Sequence, residues 1–266
     1  MEDPTPDRLT YASYLHLSEL LALQQPRSEP AEHDETLFIV IHQVSELWFA
    51  VLLQELDKVK RDLSDNHLFR VMSSLKRCRR TLAVLVDQLD VLETMTPLSF
   101  NRFRDRLDTS SGFQSMQFRE LEFVLGLKDP ATLDHYPVGL FGRDRAERRL
   151  DEPSVQDCLY DFLEQRGVEI PSELRARPVT EAHIPHEAIQ AGIDSLYRSD
   201  GSYVMLFELM VDFDAELQQW RYRHVKLVER TIGNKQGTGG SLGVEYLKST
   251  LFRPVFPDLW AIRHRF

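Results

Sequence analysis

The sequence predicts an all-α fold, a helical bundle formed by one domain spanning all 266 residues. Three observations predict it. Apolar residues recur at spacings of three and four over long stretches. No stretch carries a strong strand pattern, and no internal repeat or low-complexity tract interrupts the chain. The breaks between stretches carry helix start and stop signals.

Thr10 can cap a first helix, TYASYLHLSELLALQ, which stops before Pro26. After the polar stretch PRSEPAEHD, Asp34 opens a long helix from about Glu35 to Leu63. Its first half, LFIVIHQVSELWFAVLL, is apolar nearly all round, which predicts burial inside the bundle. Its second half, QELDKVKRDL, is amphipathic. A third helix is expected from about His67 to Glu93, with Leu68, Val71, Met72, Leu75, Leu82, Leu85, Leu89 and Leu92 on its inner face. Thr96 and Pro97 form a stop and a restart, with Thr as N-cap and Pro at the first helical position. LSFNRFRDRL follows, and after DTSSG a helix over FQSMQFRELEFVLGL. Residues 129–152, rich in Arg and Asp, read as a charged loop. Helices are expected over 153–165, 185–197 and, longest of the late ones, 202–232. The Gly-rich GNKQGTGGSLG, a short helix and the tail PDLWAIRHRF close the chain.

Composition narrows the function classes. Hydrophobic residues make up 42% and charged residues 28%, which is globular usage. A net charge of −10 argues against general nucleic-acid binding. No uninterrupted apolar run reaches the ~18 residues of a membrane helix, so no membrane is expected. The acidic, polar start MEDPTPDR does not read as a secretory signal. Two cysteines, Cys78 and Cys158, exclude a disulfide scaffold or a Cys-based zinc finger and fit a reducing, cytoplasmic setting.

Two histidines stand out by position. His42 lies in the most apolar helical segment, with Phe38 one turn before it and Ser45 about one turn after. An unpaired polar group there would cost a few kcal/mol. Leu206, Met210, Phe213, Leu217, Trp220, His224 and Leu227 step by four and three, so His224 points where a core residue should. Each can be a satisfied core histidine, or a neutral imidazole for metal ligation or acid–base work. Other metal patterns are weak. His183 and His186 are separated by Pro185, and His33, Asp34 and Glu35 are adjacent, which fits capping. No second Glu-x-x-His pair supports a di-iron bundle.

In FNRFRDRL, Arg102, Arg104 and Arg106 fan apart on a helix, so most of them should be solvated. One pointing inward beside Phe100 would be a bidentate carboxylate clamp. GTGGSLG reads either as a flexible linker or as a loop whose backbone N–H groups approach an anion, and it lacks the P-loop pattern.

The segments YASYLHLSELL, HDETLFIVIHQVSELWF, LETMTPLSFNRFRDRL with SSGFQS behind it, and WRYRHVKLVERTIGNKQGTGGSLGVEYL occur in this order. Together they resemble the tryptophan 2,3-dioxygenase family, all-helical haem enzymes. The resemblance covers the N-terminal half and the last third, and residues 129–200 carry none of it.

The resemblance implies a haem b cofactor with His224 as the axial iron ligand, and His42 as the distal histidine facing the substrate's indole N–H. It places Phe38, Phe100, Leu107 and Ser111 around the substrate, Arg104 on its carboxylate and Thr238 on its ammonium group. Tyr11, Tyr14 and Leu15 match a helix that reaches a neighbouring subunit's pocket. Residues 1–25 would thus cross between subunits of a homotetramer. The activity implied is cleavage of the indole C2–C3 bond of L-tryptophan by dioxygen, giving N-formylkynurenine. Two other readings stay open: a biosynthetic relative inserting one oxygen into tryptophan or a substituted tryptophan to give a 2-oxindole, and a haem sensor without turnover. A sensor has no need of the amino-acid clamp.

Overall fold

The computed structural model describes residues 8–233, 235 and 244–266. Among these residues there are helices and no strands, so the fold is all-α as the sequence predicts. In chain order the α-helices are α1 (Tyr11–Tyr14), α2 (Leu17–Leu20), α3 (His33–Ser64), α4 (Leu68–Leu92), α5 (Pro97–Arg104), α6 (Met116–Leu125), α7 (Arg143–Asp151), α8 (Val155–Glu164), α9 (Ser172–Arg175), α10 (Glu187–Ser199), α11 (Gly201–Ile232), α12 (Val244–Ser249) and α13 (Pro257–Ala261). Short 3₁₀ turns lie at Gly112–Gln114, Pro130–His135 and Ile262–Arg265.

Three long helices form the frame. α4 packs against both α3 and α11, α6 and α8 lie on α3, and α10 lies on α11. The stripes that the sequence marks become the seams. Leu56, Val59 and Leu63 of α3, Leu85 of α4 and Leu206 and Met210 of α11 are all fully buried. Each such side chain contributes about 1.5–3 kcal/mol through burial. The Thr96–Pro97 restart holds as expected: Thr96 Oγ1 accepts the Ser99 N–H at 3.1 Å and Pro97 begins α5. Ser115 caps α6, accepting the Phe118 N–H at 3.3 Å.

Several expectations are corrected. The first helix is not continuous. Thr10 caps α1 with Ser13 as expected, but His16 takes a left-handed conformation (φ 50°) and splits it from α2. Neither piece buries a residue, so no packing holds them in one axis. The long α3 begins at His33 rather than after an Asp34 cap. Glu35, only 1% exposed, instead accepts the backbone N–H groups of Arg27 at 2.6 Å and Ser28 at 3.0 Å, fastening the preceding loop.

The apolar half of α3 is not enclosed all round either. Leu47 is 56% exposed, and Ile39, Val40 and Val44 are half-buried. One side of this half forms a cavity wall and the other is uncovered in the single chain. By length and composition α3 also contains a window apolar enough to cross a membrane, with mean hydropathy 1.8. Charge-free runs understate it, because Glu46 interrupts the run but hardly lowers the average.

Residues 129–152 are not a loop but a 3₁₀ turn followed by α7. Only Ala146 and Leu150 of α7 are buried. Ion pairs hold it instead: Arg149 meets Asp57 with contacts of 2.7 and 2.6 Å, and Arg145 meets Glu120 at 3.0 Å.

Candidate active site

A cavity opens between α3, α5, α6, α11 and α12. Phe38, His42, Phe100, Arg104, Leu107, Ser111 and His224 all line it. Seven positions expected from separate blocks of sequence are thereby brought to one space.

His224 continues the α11 stripe beyond Trp220, and the two rings lie nearly parallel, 9° apart with centroids at 5.2 Å. Burial pushes its pKa down to about 4, with the positive charge of protonated His42 and of Arg119 acting in the same direction. The imidazole is neutral at pH 7 and carries a free nitrogen lone pair. Among the described residues no group makes a hydrogen bond to it. This is the donor that an axial ligand requires, and an enclosed polar ring without a partner is costly unless something in the cavity meets it.

His42 is accessible, yet its accessible surface belongs to the cavity wall. The Phe38 carbonyl lies 2.7 Å from Nδ1. A carbonyl only accepts, so Nδ1 carries the proton and Nε2 is left as an acceptor. Burial lowers the pKa of this ring. The Phe38 carbonyl and the Glu46 carboxylate, one turn further along α3, act in the opposite direction.

Phe38 stands against this ring and joins it to an aromatic cluster. The Phe38 centroid is 4.2 Å from that of His42 and 5.6 Å from those of Phe100 and Phe103. Phe100 and Phe103 meet edge to face at 5.3 Å and 84°. Such faces accept a flat aromatic ligand.

The three arginines of α5 and its C-terminal end separate as expected. Arg102 is 68% exposed and reaches Glu32 at 3.5 Å, Arg106 is exposed, and Arg104 lines the cavity. Ser111 Oγ accepts the Phe113 N–H at 3.3 Å, so it also caps the 3₁₀ turn. Tyr11, Tyr14 and Leu15 do not line this cavity; Tyr11 is 77% and Tyr14 70% exposed. Thr238 lies outside the described residues. His183 pairs with Asp157 at 2.8 Å and His186 caps α10, so neither takes part. No group of three potential metal-ligating side chains occurs among the described residues, so a site here rests on one histidine.

Sequence reasoning missed the charged end of the cavity, where Glu46, Arg119, Arg221 and Tyr246 also line the wall. One signal was present. Arg221 sits three residues before His224, on the same helical face.

The sequence profile of the tryptophan 2,3-dioxygenase family matches residues 5–172 and 176–265. The chain is 53% identical over 255 residues to the tryptophan 2,3-dioxygenase of Herpetosiphon aurantiacus, covering 96% of this chain and 97% of that one. It is 48% identical over 265 residues to that of Anaeromyxobacter sp. strain K, covering 99% of both. With that of Xanthomonas oryzae pv. oryzae it shares 41% over 259 residues, covering 96% of this chain and 87% of the relative. A profile match over nearly the whole length, together with a cavity that gathers the expected positions from three of the four separate blocks, makes this chain a member of the tryptophan 2,3-dioxygenase family.

Proposed function

We propose that the protein is a haem-dependent dioxygenase that cleaves the indole C2–C3 bond of L-tryptophan and releases N-formylkynurenine. The observation that carries this reading is one cavity faced by two neutral imidazoles with different free valences. His224 offers a lone pair that no described residue takes up, whereas His42 has a fixed tautomer.

The cavity fits haem b. Its walls are mostly apolar, and His224, to which no described residue makes a hydrogen bond, would hold the iron. Arg119 and Tyr246, at the charged end, suit the carboxylates at the edge of the group. Haem supplies the binding and activation of dioxygen.

The chain's own residues do the rest. Arg104 takes the substrate carboxylate and fixes one end of the amino acid. Phe38 and Phe100 hold the indole between aromatic faces. His42 Nε2 accepts the indole N–H, which orients the ring and holds that proton. The aromatic wall excludes water from the reacting carbons. We assign Leu107 and Ser111 to the same pocket, and Thr238 to the ammonium group.

The protein is further proposed to be a cytoplasmic homotetramer in which Tyr11, Tyr14 and Leu15 complete a neighbour's site. Exposed Tyr11, Tyr14, Leu21 and Leu47 support this, being apolar surface that one chain leaves uncovered.

The test is anaerobic loading with L-tryptophan, exposure to labelled dioxygen and mass analysis. The expected product carries two labelled oxygen atoms and forms repeatedly after a single reduction. A product with one added oxygen, formed only with continuous reductant or peroxide, would overturn dioxygenation and favour the 2-oxindole reaction. Haem loading with no conversion would favour a sensor.

A further inference from the structure

Glu122 of α6 lies beside the cavity and is 8% exposed. Its Oε2 accepts from Arg119 Nη1 at 2.7 Å, and its Oε1 accepts from Arg221 Nη2 at 2.8 Å. Arg119 and Arg221 are themselves 8% and 4% exposed. Two guanidiniums around one carboxylate leave one positive charge uncancelled in the wall, and both Nε atoms lack a partner among the described residues. Buried ions are a poor way to gain stability, because apolar groups of similar volume usually do as well or better. This cluster calls for a role other than packing.

The outer edges of the arginines show that role. Arg119 Nη1 also donates to the Tyr246 hydroxyl at 3.1 Å. Arg221 Nη1 donates to the Thr250 carbonyl at 3.1 Å and lies 3.5 Å from that of Arg253. One carboxylate thus holds two cations that grip residues 246–253. The segment's other ties are Gln218, which donates to the Arg253 carbonyl, the edge of Phe113 against Tyr246 at 5.2 Å and the Lys248–Glu229 pair at 3.5 Å, while in α12 only Val244 is buried. Arg119, Arg221, Tyr246 and Thr250 all line the cavity.

The residues just beyond are fastened separately. Asp214 of α11 accepts from the backbone of Val255 at 2.7 Å and Phe256 at 3.1 Å, and from Trp260 Nε1 at 2.9 Å.

We propose that Glu122 is a positioning residue: by holding Arg119 and Arg221 together it fastens residues 246–253 to the cavity wall, so that occupation of the cavity and order in this segment are linked. Without the carboxylate, two neighbouring guanidiniums repel and turn away from Tyr246 and Thr250. The linkage half rests on the haem reading given above; the fastening half rests on this chain alone.

Hydrogen exchange followed by mass spectrometry on the full chain tests both halves, with and without haem. Glu122→Gln keeps the shape and removes the charge. In haem-free protein it should speed exchange in 246–253 about tenfold, the effect of losing charge-assisted hydrogen bonds. Exchange in 255–262, held by Asp214, and in 206–217 should stay at the wild-type rate. Haem should protect 246–253 in the wild type but not in Glu122→Gln, and release of haem to apomyoglobin should quicken by a similar factor. Glu122→Asp should restore part of both effects.

Unchanged exchange in 246–253 overturns the proposal. So does acceleration spread equally over all three segments, which would make Glu122 an ordinary core group. Faster exchange with wild-type haem release overturns the linkage. If Glu122→Gln does not fold, Arg221→Lys, which keeps the charge but loses the forked contact, is read by the same criteria. A wild type that takes up no haem would refute the proposed function, and the haem-free comparison would still decide the role of Glu122.

Discussion

His42 and His224 face one cavity from two long helices, and they are held in opposite ways. His42 donates Nδ1–H to the carbonyl one turn back in its own helix, so its tautomer is fixed and Nε2 must accept. Among the described residues no group makes a hydrogen bond to His224, and the parallel face of Trp220 stands against it. Their surroundings differ too. His42 stands against Phe38, which packs on Phe100 and Phe103, whereas Arg221 shares α11 with His224 and Arg119 of α6 lines the same cavity. An imidazole whose second nitrogen is already engaged suits proton placement. A ring whose nitrogens no described residue engages keeps a lone pair for a group that enters the cavity. The same residue type is thus assigned two tasks by its neighbours.

The largest expected effect breaks this contrast on the α11 side. His224→Ala should abolish stable haem loading, because no other histidine on that stripe can replace the lost lone pair. His42→Ala should keep the haem and weaken turnover. A titration of haem into both purified variants, read in the Soret region, decides between them. Equal loss from both would make the two histidines equivalent axial ligands.

A smaller effect sharpens the α3–α5 side. Arg104→Ala should raise KM for L-tryptophan about tenfold to a hundredfold, since a charge-assisted hydrogen bond is worth roughly 1.5–3 kcal/mol. Arg102→Ala removes only an exposed pair with Glu32 and should change KM by less than about threefold. Steady-state kinetics on the two variants, with Arg106→Ala as control, measures the difference. Equal small effects would return all three arginines to the solvated surface.

The two walls were also unequally legible. The α11 wall could be read directly, because a stripe stepping by four and three within one helix fixes which face His224 occupies. The α3 wall could not. A segment apolar nearly all round has no preferred face, so the pattern signals burial without showing that half of it lines a cavity. Helix α7 was invisible for the converse reason: RDRAERRLD has almost no apolar periodicity, and its hold comes from Asp57 and Glu120, far away in sequence. The Glu122 cluster divides the same way. Arg119 and Glu122 are three apart on one helix, a spacing any reader can pair, but Tyr246 stands 127 residues from Arg119. Caps, being local, came through well at Thr10 and Thr96. The site positions were found through resemblance in ordered blocks, which carries the long-range information that periodicity lacks.

The smallest expected effect concerns protons on the α3 side. Burial depresses the pKa of His42 below the ordinary 6.5, and Glu46 and the Phe38 carbonyl oppose this without reversing it. The neutral ring is the form that accepts an indole N–H. It follows that kcat/KM should be level around pH 7 and fall only below pH 6.5, as His42 takes up a proton and Nε2 ceases to accept. The sign for stability is the same. The unfolded chain binds this proton more readily than the folded one, so stability is lost as pH drops below 6.5 towards the lowered folded value. Profiles of kcat/KM against pH for the wild type and His42→Ala separate this group from the others that line the cavity, Glu46, Arg104, Arg119, Arg221, His224 and Tyr246. The acid limb should vanish in the variant, whose residual rate stays flat. A wild-type limb centred at or above pH 6.5, or an identical limb in His42→Ala, would show that His42 does not hold the indole proton, and the contrast between the two histidines would then rest on His224 alone.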